Sequence, residues 1–313
     1  MRGPAAKTYP RSVPTAAAVG PSGISIAYER FGNLDAPPVL LVMGLGMQMI
    51  GWSDGFCSSL AAHELHVIRF DNRDVGLSTH LREAPAPDVM AALAGDASSA
   101  SYTLSDMASD TVGLLDVLGL DSAHLVGASM GGMIAQTIAI ELPGRVRSLT
   151  SIMSTTGART VGQSTREALG ALLTPPASSR RGAMDRAVAI FRAIGSPGFE
   201  FDEAEVRERA GLAYERADDP LGVARQLLAV IASGDRTAGL RSVRAPALVL
   251  HGAADPLVDV SGGRATAEAI RGSELVVFDG MGHDLPRALW AGIAAKIAAL
   301  VDRAEAARTG VPA

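Results

Sequence analysis

Cysteine is nearly absent from this 313-residue chain, where Cys57 stands alone. One thiol excludes an intramolecular disulfide framework and any cysteine-built metal cluster, each of which needs several, and it fits a reducing cytosol. Lysine is almost as scarce, with only Lys7 and Lys296. Beside abundant arginine, alanine and glycine, that scarcity is a trait of base composition and bears on no activity. Positive charge is not in excess: the net charge is −5 and the pI about 5.7, so the electrostatic footprint expected of a nucleic-acid or anionic-membrane binder is missing. Long apolar runs are missing too. The most apolar stretch, Val39 to Ile50, is far shorter than a membrane span and is broken by glycines and Gln48. Residues 1–23 contain Arg2, Lys7 and Arg11 but no apolar signal-peptide core, and their Pro, Ala and Gly content predicts a flexible N-terminal segment. Together these absences predict a soluble cytoplasmic protein without nucleic-acid or membrane partners and leave its oligomeric state open.

What the chain does contain is organised around Ala123-His124-Leu125-Val126-Gly127-Ala128-Ser129-Met130-Gly131-Gly132-Met133-Ile134. An apolar run leads into Gly-x-Ser-x-Gly and a segment of helical spacing leaves it, the strand, sharp turn and helix that a nucleophile elbow requires. Composition alone produces roughly 0.3 such matches by chance, so the flanks and partners must carry the inference.

Before the elbow, Ile24 to Phe31 alternates as an edge strand does, and Pro37-Pro38 launches Val39 to Met43, apolar on both faces like a parallel strand covered by helices. Gly44-Leu45-Gly46 follows, a loop whose backbone can approach a ligand closely. Ser53 to His63 reads as a helix, His66 to Phe70 as a strand, and Asp71 to Ser78 as a polar turn. Thr79 to Ser101, with Pro85, Pro87 and many small residues, reads as a surface excursion. Met107, Val112, Leu114, Leu115 and Leu118 then fall on one helical stripe, with Ser105 as the expected cap and Gly119 as the stop.

After the elbow, Val146 to Met153 is a strand. From Gly157 to Gly239 helical segments follow one another without apolar strands, around 166–173, 181–194, 203–217 (capped by Asp202) and 221–231. Strand character returns in Ala247 to Leu250 and in Glu274 to Phe278, with a final helix over about 285–306. Strands and helices alternating on both sides of an inserted block predict an α/β fold with one mostly parallel open sheet. The predicted organisation is a flexible segment 1–23, a core of 24–156 and 240–306, and a helical lid over 157–239.

A serine hydroxyl is a weak nucleophile at neutral pH and needs a base, a group that orients the base, and donors for the developing oxyanion. Asp255 and His283 lie just past the C-terminal ends of predicted strands, the edge where open α/β sheets place their sites. With Ser129 they give the order Ser, Asp, His. Gly127 to Gly132, Asp71-Asn72-Arg73-Asp74-Val75-Gly76-Leu77-Ser78, His251-Gly252-Ala253-Ala254-Asp255-Pro256-Leu257-Val258 and Gly282-His283 together resemble the α/β-hydrolase superfamily, from about Ile24 to Leu300. Within it the chain is similar to anthracycline methyl esterases, 3-oxoadipate enol-lactonases and cofactor-free haloperoxidases. The resemblance implies a triad of Ser129, Asp255 and His283, an oxyanion held by the N–H groups of Leu45 and Met130, and neither metal nor cofactor. Many relatives carry His-Gly where this chain has Met43-Gly44. Because the donor is a backbone N–H, that departure preserves the oxyanion hole.

Other residues have plainer readings. His251 is a structural histidine bonded to nearby backbone, Asp284 a solvated residue or helix cap, and Cys57 a small packed side chain. Asp71, Arg73 and Asp74 brace the loops around the site. Met43, Met47, Met49, Met130, Met133, Met153 and Met281 fall at or beside predicted strand ends. Ordinary core filling accounts for such a pattern; alternatively, Met43, Met47, Met153 and Met281 with Trp52 form an adaptable apolar substrate pocket. The expected function is hydrolysis of a fairly hydrophobic small-molecule ester through an acyl-enzyme. A lactonase, carbon–carbon bond hydrolase or perhydrolase would use the same triad, and a biosynthetic cyclase or ligand receptor on this fold would retain it without rapid turnover.

Overall fold

The computed structural model describes residues 13–309. The strands are β1 (Thr15–Val19), β2 (Ile24–Phe31), β3 (Pro38–Val42), β4 (His66–Phe70), β5 (Ala123–Ala128), β6 (Val146–Ile152), β7 (Ala247–Gly252) and β8 (Glu274–Phe278). They form one sheet in the order β1-β2-β4-β3-β5-β6-β7-β8. β2 pairs antiparallel with β1 and β4, and every other pair is parallel. The helices are α1 (Asp54–Ala61), α2 (Val89–Leu93), α3 (Leu104–Val117), α4 (Met130–Glu141), α5 (Arg166–Leu172), α6 (Arg180–Ile194), α7 (Glu203–Arg216), α8 (Pro220–Ser233), α9 (Thr237–Leu240), α10 (Ser261–Ala269) and α11 (Trp290–Thr309).

The two-faced apolar strands are covered on both sides. Leu40 and Val42 of β3, with Leu125 of β5, pack into one core layer with α3 and α4, while Val39, Leu41 and Val126 pack into another with α1 and α11. Period-2 alternation therefore feeds both layers, which is why β3 is apolar on both faces. α5 to α9 lie between β6 and β7, and no helix among the described residues is long and apolar enough to cross a membrane.

Several expectations give way to tertiary context. β1 lies inside the segment read as a flexible lead-in. Its alanines have little strand propensity, but pairing with β2 and burial of Ala16 and Val19 beside α3 decide its conformation. Residues 1–12 of that segment lie outside the described residues. α3 is capped by Thr103 instead of Ser105: Thr103 and Asp106 form a reciprocal capping box, and Ser105 Oγ donates to Glu141 at 2.7 Å. The excursion from Thr79 to Ser101 contains the short helix α2, capped by Asp88, which packs against α8.

Candidate active site

Ser129 sits between β5 and α4 with φ 54° and ψ −120°. Such a backbone costs a non-glycine residue about 1–3 kcal/mol and persists only where its surroundings fix it. Here Ser129 N–H donates to Ile152 O at 2.9 Å and Ser154 Oγ donates to Ser129 O at 2.9 Å. The motif glycines are required by contact: a Cβ on Gly127 would lie 2.1 Å from Gly131 O, and one on Gly131 would lie 2.0 Å from Val42 O. The tight turn thus depends on bare backbone at both positions.

Asp255 follows β7, where its Oδ1 accepts the N–H groups of Leu257 and Val258, each at 2.9 Å. Its other oxygen lies 2.7 Å from His283 Nδ1, and His283 Nε2 lies 3.0 Å from Ser129 Oγ. Asp255 and His283 are buried. A proton on Nδ1, donated to Asp255, leaves the Nε2 lone pair facing the serine hydroxyl. The structure thereby brings Ser129 to a pair of residues that lie more than a hundred positions further along the chain. His251 is the structural residue expected: its Nε2 donates to Val258 O at 2.8 Å, tying the Asp255 loop, and burial lowers its pKa.

Met130 directly follows the serine, and Gly44, which precedes Leu45, lies beside it: a Cβ on Gly44 would be 3.2 Å from Ser129 Cβ. Met130 opens α4, whose first-turn N–H groups have no partner within the helix. Among the described residues neither amide is used in the loop and turn hydrogen bonds.

Ser129 and His283 open into a cavity of about 1310 Å³ lined by side chains of the core loops and of α5 to α8. Met43, Met47, Trp52 and Met153 line it as the pocket reading expects, joined by Met130 and Met133. Met281 does not. It is wholly buried in the core layer with α11, because its position in the turn after β8 places it beneath the sheet edge. Met49 is buried likewise.

Asp284 also departs from expectation. It is half-buried in the cavity wall and accepts a hydrogen bond from Ser196 Oγ, so it neither caps a helix nor faces bulk water. Burial raises its carboxyl above the usual range. Arg209 of α7 lines the same cavity, and burial lowers its guanidinium. Asp71, Arg73 and Asp74 do brace the loops: Asp71 accepts the N–H groups of Met49 and Leu77, Arg73 pairs with Asp110, and Asp74 pairs with Arg225.

Sequence reasoning missed the contribution of the insertion. His283 N–H donates to Ile194 O at 2.7 Å, and Gly282 N–H donates to Ser196 Oγ at 2.8 Å. The first is a backbone bond that any residue could make, and the second needs only a hydroxyl at a position 86 residues away, so neither left a local signal in the sequence.

Residues 37–286 match the family model described as the alpha/beta hydrolase fold. The chain is 29% identical over 300 residues to rhodomycin D methylesterase DauP of Streptomyces sp. (strain C5), covering 88% of this chain and 94% of that one. It is 26% identical over 256 residues to 3-oxoadipate enol-lactonase 2 of Acinetobacter baylyi, covering 82% and 85% respectively. The solved structure of the meta-cleavage product hydrolase CumD from Pseudomonas fluorescens IP01 shares the fold with a TM-score of 0.72 at 19% identity, over 93% of this chain and 98% of that one.

Proposed function

From the premise that the chain belongs to the α/β-hydrolase fold family, we propose that it is a serine esterase acting on carboxylic esters of fairly hydrophobic small molecules. The observation that carries this reading is His283 bridging Ser129 and Asp255 at 3.0 and 2.7 Å on the floor of a cavity. The methylesterase among the relatives supports an ester as the substrate. The methionines and Trp52 in the wall support an apolar one, and a cavity of about 1310 Å³ accommodates a bulky molecule. We assign residues 157–239 as the lid over a core of residues 24–156 and 240–306. Cytoplasmic residence belongs to the same proposal: the lone thiol, Cys57, is buried and free, with its pKa pushed up to about 12 by burial.

In this mechanism His283 Nε2 takes the Ser129 proton as Oγ bonds to the ester carbonyl carbon. Asp255 orients the imidazole and stabilises its cation. The Leu45 and Met130 N–H groups hold the oxyanion. The carbon–oxygen bond to the alcohol then breaks, and His283 returns its proton to the leaving alkoxide. Water next gives a proton to His283 and attacks the acyl carbon; Ser129 leaves with that proton, and the acid is released.

The test compares hydrolysis of short and long p-nitrophenyl esters and of an anionic ester by the wild-type chain and by Ser129→Ala. The substitution is expected to lower kcat by several orders of magnitude while leaving folding intact, and the wild type to favour the longer neutral ester. Near-normal turnover by Ser129→Ala would refute the mechanism, and a clear preference for the anionic ester would refute the substrate class.

A further inference from the structure

The Gly44-Leu45-Gly46 loop is fixed peptide by peptide. Asn72 Nδ2 donates to Met43 O at 3.0 Å, and Met47 N–H donates to Gly44 O at 3.2 Å. Gly46 N–H donates to Gln226 Oε1 at 2.9 Å. The Leu45 residue therefore lies between one peptide pinned by its own loop and one pinned by helix α8 of the insertion.

The Gln226 amide has a single orientation that satisfies both of its ends, because Nε2 donates to Arg73 O at 2.7 Å. Arg73 is itself held by Asp110 through two hydrogen bonds, at 2.5 and 2.7 Å. Gln226 is 0% exposed, so both of its bonds are shielded from bulk solvent at the glutamine end. Val223, one helical turn earlier, packs against Gly46, where an added Cβ would meet its Cγ1 at 2.9 Å. At the other end, Gly44 lies beside the nucleophile: a Cβ there would be 3.2 Å from Ser129 Cβ.

We propose that Gln226 is a positioning residue that holds the Leu45 N–H in the oxyanion hole, so that the insertion completes the catalytic machinery as well as covering the cavity. The proposal rests on the serine-esterase reading above. Its physical basis is that a loop with glycine on both sides of Leu45 has little intrinsic preference for one peptide orientation. Without the Gln226 acceptor, the half-buried Gly46 N–H loses its protein partner, and pairing it again with another acceptor turns its peptide, which carries Leu45 with it. An oxyanion donor works only within about 2.7–3.1 Å of the developing charge, so a small rotation is felt in the transition state and hardly in the ground state.

In the full-length enzyme, Gln226→Met keeps the side-chain length and removes both hydrogen bonds, whereas Gln226→Glu keeps an acceptor toward Gly46. Gln226→Met is expected to lower kcat about ten- to a hundredfold, with KM changed by no more than about twofold, below the loss seen on deleting an oxyanion donor outright. Affinity for a trifluoromethyl ketone, whose hemiketal oxyanion occupies the same hole, should fall in proportion to kcat/KM, and Gln226→Glu should recover part of both. A Gln226→Met enzyme with wild-type kcat, or one altered only in KM or in melting temperature, overturns the proposal. Should that variant fail to fold, Gln226→Asn withdraws the amide by one methylene, and unchanged trifluoromethyl ketone affinity then overturns it equally. Ser129→Ala separates the two claims. If it still hydrolyses ester, the esterase reading falls; if it is inactive while Gln226→Met is unimpaired, the positioning role alone falls.

Discussion

The sheet and the insertion are built on opposite economies. β3, β4, β5 and β7 are buried at every position, whereas α6 buries only Val188 and Ile194, and α7 only Val206 and Gly211. The outer faces of α6 and α7 carry ion pairs such as Arg207–Asp185 and Arg192–Glu203, all on substantially exposed side chains. Such pairs contribute little. Where the insertion meets the core, the pairs are different: Arg225–Asp74 and Arg216–Asp71 are buried on both sides. The sheet is thus held by apolar burial on two faces, and the insertion by the apolar face of α8 together with a few desolvated polar contacts around a cavity. A segment with so little core of its own belongs to the low-stability end of a fold, and the same contacts that attach it also fix the catalytic loops.

The largest stability effect expected from this contrast comes from its seam. Arg225→Met leaves Asp74 buried with only the Tyr102 hydroxyl and the Leu81 N–H as partners, and should destabilise by about 3–5 kcal/mol in urea unfolding. An effect below about 1 kcal/mol would show the seam to be no stronger than a surface pair.

Acid should act on the core next. Burial pushes the imidazole of His124, in β5, down from 6.5 to about 4, while Ser148 and Glu305 bond its two nitrogens. The folded state therefore refuses a proton that the unfolded state accepts. This contribution is fully present above pH 6.5 and is lost as pH falls toward 4, by about 3 kcal/mol. Denaturation of wild type and His124→Gln at pH 7.5 and 4.5 checks it: the variant should show the shallower slope, and equal slopes would remove His124 from the account.

The smallest effect belongs to the insertion surface. Arg207→Ala deletes pairs to Asp185 and Glu203 on side chains 34–54% exposed and should leave the melting temperature nearly unchanged. A larger loss in melting experiments would mean that α6 and α7 are held together from outside.

Much of this was legible because its causes are local. The apolar runs of β4, β5 and β8 begin and end where their residues change character, and Asp202 caps α7 as its spacing implies. The Ser129 turn could be read because only glycine permits the contacts on either side of it. Asp255 and His283 were legible from their place after strands. Thr103 displaced Ser105 as a cap because the reciprocal bond with Asp106 outweighs a match two residues on. β1 was hidden because pairing, not propensity, makes it a strand. Met281 and Asp284 were misplaced for a common reason: a strand end locates the backbone, and neighbours from other elements decide whether the side chain meets core, cavity or water.

The sequence by itself determined the α/β alternation, the inserted helices and the residue types able to act at Ser129, Asp255 and His283, since each follows from periodicity, turn chemistry or a short-range steric need. Only the tertiary structure decided that Ile194 and Ser196 hold the histidine loop, that Gln226 holds Gly46, and which methionines face the cavity. Those contacts join positions far apart in the chain, and in each hydrogen bond at least one partner is a backbone group that every residue possesses, so packing selects which side chain or carbonyl meets it.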